Sequence, residues 1–196
     1  MLDKSSLHQL ITNILNPRQV LPGDIPDIEL YMDQVTTFME TRLSGCKRDE
    51  KEKILTKTMI NNYTKAGLLI PPHKKKYSKE NMMLLILIYQ LKHVLSMNDI
   101  AALFFPLLKG KLRQETASPI DATYSLYLDL EKNNHEGFEE FCKREAASIE
   151  KRVGTLGDEN KEQLEWLLLV LSLVHQADLQ RRLAEQIIDT HFTGGV

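Results

Sequence analysis

Six lysines and no carboxylate occupy residues 54–79 of a 196-residue chain whose formal net charge is −2. Lysines neutralise phosphates and release their counterions. Among them stand Thr58, Asn61 and Asn62. Asparagine pairs with an adenine edge through two hydrogen bonds, and threonine contacts phosphate or base. On a helix turning about 100° per residue, Lys57, Thr58, Asn61, Asn62 and Lys65 share one arc, and Met59, Ile60 and Tyr63 share the other. One arc suits the core. The other is cationic and carries no acid of its own, whereas ordinary surface helices mix both signs. Downstream, Pro71-Pro72-His73 stiffens a projecting segment tipped by Lys74-Lys75-Lys76, whose mutual repulsion a polyanion would relieve.

These residues suggest an interface with double-stranded DNA. A helix over 56–65 enters the major groove, with Lys57, Thr58, Asn61 and Asn62 nearest the bases. Lys65, Lys74, Lys75, Lys76 and Lys79 hold phosphates, and residues 71–77 form the wing. Tyr63 and Tyr77 support the core and turn their hydroxyls toward the duplex backbone.

Catalytic chemistry has no comparable signal. There is no Gly-rich phosphate loop and no cofactor motif. Cys46 and Cys142 are isolated, and the histidines at 8, 73, 93, 135, 175 and 191 lack metal-ligand spacing. His175 lies in a nearly apolar helix and reads as a core histidine. Glu139, Glu140, Glu145 and Glu150, near Lys143 and Arg144, read as helix-surface acids in salt-bridged faces. The expectation is a protein that is not an enzyme, with no metal and no cofactor.

Hydrophobic residues make up 42% and charged residues 27%, an ordinary balance for a globular chain. Two cysteines cannot staple a fold of this length. The longest apolar runs, 82–89 and 166–174, are too short to span a bilayer. The first residues lack a basic stretch followed by an apolar one, so the expected location is cytoplasmic, away from membranes. Charge is unevenly spread. Residues 1–46 carry a net −3, residues 47–93 a net +7 and residues 94–196 a net −6. The lysine segment is a basic island in an acidic chain.

The elements that must position these side chains are helical. Apolar spacing of three or four predicts helices over 5–15, 28–43, 56–65, 79–94 and 97–105, the last limited by Pro106. Further helices are expected over 118–132, 138–153 and 158–192, with a break at Asn133–Gly137 and a hinge at Gly154 and Gly157. Thr56, Ser78 and Ser96 are N-caps, Ser96 forming a capping box with Asp99. Gly67 is a helix stop. The expected strand content is one small hairpin within 69–77.

In order and spacing, Tyr63, Gly67-Leu68-Leu69, Tyr77-Ser78, Leu95-Ser96 and Asp99-Ile100 resemble the MerR-like winged helix-turn-helix. In that family a short recognition helix ends in an aromatic residue and Gly-Leu-Leu, and a wing and a Tyr-Ser helix start follow. The chain also resembles a group of uncharacterised bacterial proteins that carry this module after an N-terminal helical extension. It departs from the pattern at Asn61-Asn62, where the family has Arg-Tyr, and in the long charged loop over 46–53.

The resemblance implies an all-α fold built on a winged helix-turn-helix with a small β-hairpin wing, plus a C-terminal helical bundle. Residues 1–27 form the extension, 28–110 the module and 111–196 the C-terminal domain. The implied function is a DNA-binding transcriptional regulator. The alternative is a protein-interaction adaptor that keeps the scaffold without reading DNA. Leu164, Leu167, Leu168, Leu171 and Val174 line one helix of the C-terminal domain, continued by Leu183, Ile187 and Ile188. Being apolar nearly all round, that helix should be buried on several sides, as the centre of a bundle or as half of a homodimer seam. The same region has room for a small effector, but no convergent polar groups in the sequence point to one.

Overall fold

The computed structural model describes residues 2–15, 19–109, 118–155 and 160–192. Among these, seven α-helices and one two-stranded antiparallel sheet follow in the order α1 (Lys4–Leu15), β1 (Leu30–Tyr31), α2 (Met32–Leu43), α3 (Lys57–Lys65), β2 (Lys76–Tyr77), α4 (Lys79–Leu91), α5 (Met97–Leu108), α6 (Pro119–Val153) and α7 (Lys161–His191). The protein is all-α with a small hairpin.

Helix starts follow local chemistry. The hydroxyls of Thr56, Ser78 and Ser96 accept from the N–H groups of Met59, Asn81 and Asp99, which opens α3, α4 and α5. Asp99 returns the bond by accepting from the Ser96 N–H at 3.1 Å, which satisfies two otherwise orphaned donors. The small hairpin turns between His73 and Lys76. Its outgoing strand β2 also pairs with β1, Leu30 opposite Tyr77 and Tyr31 opposite Lys76. That pairing holds residues 30–31 extended, so α2 begins at Met32 and not at the expected Ile28, which is exposed.

Three other expectations are corrected. Pro106 lies inside α5, which continues to Leu108. Proline removes one backbone donor, but here only within the last turn, and Leu107 is buried beside it. No break occurs at Asn133–Gly137, because α6 is continuous from Pro119 to Val153. Leu128 before that stretch and Cys142 after it are each buried in a core cluster, and this outweighs weak local helix preference. His175 is exposed, not in a core. The expected helix stop at Asn16-Pro17, Gly157 and the connector over 110–117 lie outside the described residues.

The residues group into two compact units. One comprises Met1–Asn16 and Asp129–Leu183, the other Pro17–Leu128 and Ala184–Val196. These boundaries differ from divisions after 27 and 110. At 1.5 Å per residue, α6 and α7 are long enough for each to contribute to both units.

The unit of Pro17–Leu128 holds the larger core. Residues 82–89 of α4 are all buried, as expected of a helix apolar on every side. Val35 and Met39 from α2, Ile60 and Tyr63 from α3, and Ile100 and Phe104 from α5 join the same cluster. Each such side chain contributes about 1.5–3 kcal/mol by leaving water. The Tyr124 hydroxyl donates to the buried Val20 carbonyl at 2.6 Å, and the Gln19 amide donates to the Leu128 carbonyl at 3.0 Å, which fixes the first part of α6 to this unit.

The other unit has a smaller core of Leu7 and Ile11 from α1, Cys142, Ala146 and Ile149 from α6, and Leu169 from α7. Within this unit its α7 buries one side. Leu169 faces the cluster, whereas Leu167, Leu171 and Val174 are each more than half exposed. Among the described residues, no helix is long and apolar enough to cross a membrane.

Candidate nucleic-acid interface

Helix α3 is short, and its two ends fix its orientation. The Thr56 hydroxyl accepts from the Met59 N–H at 3.2 Å. At the other end Gly67 adopts φ +72°. Its N–H donates to the Thr64 carbonyl at 3.1 Å, and the Leu68 N–H donates to the Tyr63 carbonyl at 2.9 Å. This is the Schellman pattern, which satisfies the last carbonyls and turns the chain back. Leu68 and Leu69 then enter the core. With Ile60 and Tyr63 buried, the opposite arc faces solvent, and Lys57, Thr58, Asn61, Asn62 and Lys65 are all exposed.

The wing tip is equally specific. The Lys76 N–H donates to the His73 carbonyl at 2.9 Å, while Lys74 and Lys75 take φ +48° and +66°. Positive φ at both central residues defines a type I′ turn, the hairpin turn that favours Asn-Gly. Two lysines here cost about 1–2 kcal/mol each in backbone strain. They project outward, exposed, and like Lys65 neither pairs with a carboxylate among the described residues.

The remaining cations are engaged. Lys57 pairs with Asp33 of α2, and Lys79 pairs with Asp27. The Lys76 ammonium sits 5.2 Å over the Tyr31 ring. The segment that is free of acids in sequence is therefore approached in space by two carboxylates from the stretch before it. Lys57 occupies the first turn of α3, where the helix dipole disfavours a cation and no acid of that helix offsets it. Asp33 supplies the missing negative charge.

Tyr77 leaves the expected contact set. It is 3% exposed, and burial pushes its pKa above the ordinary tyrosine value, with Thr64 opposing the rise. Tyr63 is likewise buried and its pKa raised by that burial. Both tyrosines brace this face from within, and Tyr77 ties β2 to the core cluster that also holds Ile60 and Tyr63 of α3.

The charged loop before α3 is anchored at functionally useful points. The Glu40 carboxylate accepts from Lys47 and from the Ile54 N–H, the latter at 3.3 Å. The Lys47 hydrogen bond is the chief reason its pKa lies below the ordinary carboxylate value. Lys92, at the end of α4, donates to the Ile54 carbonyl at 3.0 Å and sits 4.4 Å over the Tyr89 ring. Burial lowers its pKa. Ile54, gripped from both sides and buried, sets where Thr56 opens α3. Neither Glu40 nor Lys92 nor Asp33 carries a local signal in sequence, because each acts on a residue far along the chain.

Among the described residues, no group of three or more His, Cys, Asp or Glu is placed to hold a metal ion. No curated protein and no solved structure matches the chain. A family model described as a domain of unknown function matches residues 20–127. That span nearly coincides with the contiguous Pro17–Leu128 part of the larger unit and covers more than half of the 196 residues. By that match, the chain belongs to the DUF1836 family.

Proposed function

We propose that the unit containing Pro17–Leu128 is a MerR-like winged helix-turn-helix and that the protein is a cytoplasmic, DNA-binding transcriptional regulator. In this reading α3 lies in the major groove of double-stranded DNA. Thr58, Asn61 and Asn62 read base edges and Lys57 stands beside them. Lys65, Lys74 and Lys75 contact phosphates, with Lys76 and Lys79 at the margin.

The observation that carries the reading is the wing tip. Two consecutive lysines are held in left-handed conformations and, among the described residues, carry no carboxylate partner. Strain of this kind persists where the surrounding structure imposes it, and it concentrates at functional positions. The exposed face of α3, stopped by Gly67 and sharing a core with the wing strand through Tyr77, supports it. So does the closing of β2 on a strand that directly precedes α2.

A salt titration tests the reading. Fluorescence anisotropy with a labelled mixed-sequence duplex should show binding at low salt. Each neutralised phosphate contributes about −0.9 to the slope of log K against log salt, so three to five contacts give about −3 to −4.5. Absence of binding at low salt would remove the proposal.

The pairing of Lys57 with Asp33 and of Lys79 with Asp27 favours a second reading, an adaptor whose lysine face meets an acidic protein. Substituting Lys74, Lys75 and Lys76 together by Glu separates the two. For a DNA reader, the variant loses duplex binding. For an adaptor, duplex binding is nil before and after, while capture of the acidic partner is lost.

A further inference from the structure

In the unit of Met1–Asn16 and Asp129–Leu183, α6 and α7 enclose a groove of about 540 Å³, within the size range of small-molecule sites. Phe138, Phe141 and Leu173 supply its apolar surface, and four carboxamides, Asn133, Asn134, Gln176 and Gln180, supply its polar lining. Among the described residues, no charged side chain lines it. Gly137 lies between the asparagines and the phenylalanines, and open space stands where its Cβ would project. These polar residues from two helices border one groove, a grouping that the sequence did not reveal.

A second observation concerns the helix itself. Asn-Asn and Gly are poor helix formers, and on sequence grounds the helix should break there. It does not. Residues that violate local preference inside a regular element are expected where function is served, and here those residues line the groove.

The lining chemistry selects a class of ligand. Each carboxamide presents an N–H donor and a carbonyl acceptor side by side, the complement of a nucleobase edge. Phenyl rings give a base a surface on which to stack. With no cation in the lining, a phosphate gains nothing by entering.

We propose that this groove binds an uncharged nucleobase or nucleoside, the ring against Phe138 and Phe141 and its edge read by the carboxamides. The proposal concerns a different unit from the DNA interface and stands independently of it. Isothermal titration calorimetry of the full chain tests it, with adenosine, guanosine, cytidine and uridine, each beside its 5′-monophosphate, and with glucose as a neutral hydroxylated control. At least one nucleoside should saturate with Kd below about 1 mM, its monophosphate should bind more weakly, and glucose should not bind. Gly137→Leu fills the groove with a better helix former, so it should abolish binding while its thermal melt is unchanged or raised. Gln180→Ala, a milder change, should weaken binding about fivefold through one lost hydrogen bond. Failure of every nucleoside to bind, equal binding of glucose or the monophosphate, or wild-type affinity in both variants would overturn the assignment.

Discussion

The ammonium of Lys57, at the first position of α3, is paired with the carboxylate of Asp33 in the first turn of α2. Both side chains are largely solvent-exposed, at 61% and 77%, so the pair adds about 0–1 kcal/mol to stability. Its larger consequence is for the proposed DNA contact, in which a phosphate must compete with Asp33 for Lys57. Asp33→Asn should leave the melting temperature nearly unchanged and tighten duplex binding several-fold at low salt. The salt slope should steepen by about one contact. Anisotropy titrations at several salt concentrations check this, and an unchanged affinity would place Lys57 outside the contact.

Lys74 and Lys75 make stability and binding pull in opposite directions. Replacing both by Gly relieves two left-handed non-glycine conformations. After allowance for the greater freedom of glycine in the unfolded chain, the gain is about 1–2 kcal/mol. The same change removes two cations that have no carboxylate partner among the described residues. Urea denaturation should therefore move to a higher midpoint while the salt slope of DNA binding falls by about two contacts. A variant that is less stable would mean the turn is not strained.

Gly67 tests the helix stop from the other side. At φ +72° a Cβ is disfavoured even though nothing crowds it. Gly67→Ala should cost about 1 kcal/mol, read as a lower urea midpoint at constant m-value. Unaltered stability would mean that α3 ends by some other device.

Glu40 predicts an acid response. Its carboxyl is held below the ordinary value of 4.5, first by the hydrogen bond from Lys47. A depressed folded-state pKa gives stability that is fully present above the unfolded value and lost as pH falls through the folded one. Wild type should therefore lose stability relative to Glu40→Gln as pH drops from about 5 through the acid range. At pH 7 the variant should be the less stable of the two. Parallel thermal melts across that range check the sign, and equal pH dependence would dismiss the tie.

Tyr77 separates bracing from contact. Its ring is buried in the core, so Tyr77→Phe, which keeps the ring, should change stability by no more than about 1 kcal/mol and leave the salt slope of DNA binding unchanged. A reduced slope would return the hydroxyl to the interface.

Several features were legible in the residues alone because their causes are local. Thr56, Ser78 and the Ser96–Asp99 pair cap helices through atoms three residues apart, and Gly67 stops α3 because a left-handed residue was needed there. The division of α3 into a core arc and a lysine–asparagine arc follows from helical period. The carboxamide groove was not legible, since its lining comes from α6 and α7, and the Asn-Asn and Gly on α6 read instead as a break. His175 misled in the same way, because an apolar helix in sequence does not reveal which of its faces the fold covers.

Side-chain type and short-range spacing by themselves determined that this chain is helical, where most helices begin and which face of α3 is cationic. Tertiary structure alone decided that β2 closes on β1 and that Asp33 and Asp27 come to Lys57 and Lys79. The reason is range. Caps and turns are settled among neighbours along the backbone, whereas an ion pair or a strand partner is chosen by whatever the folded core brings close.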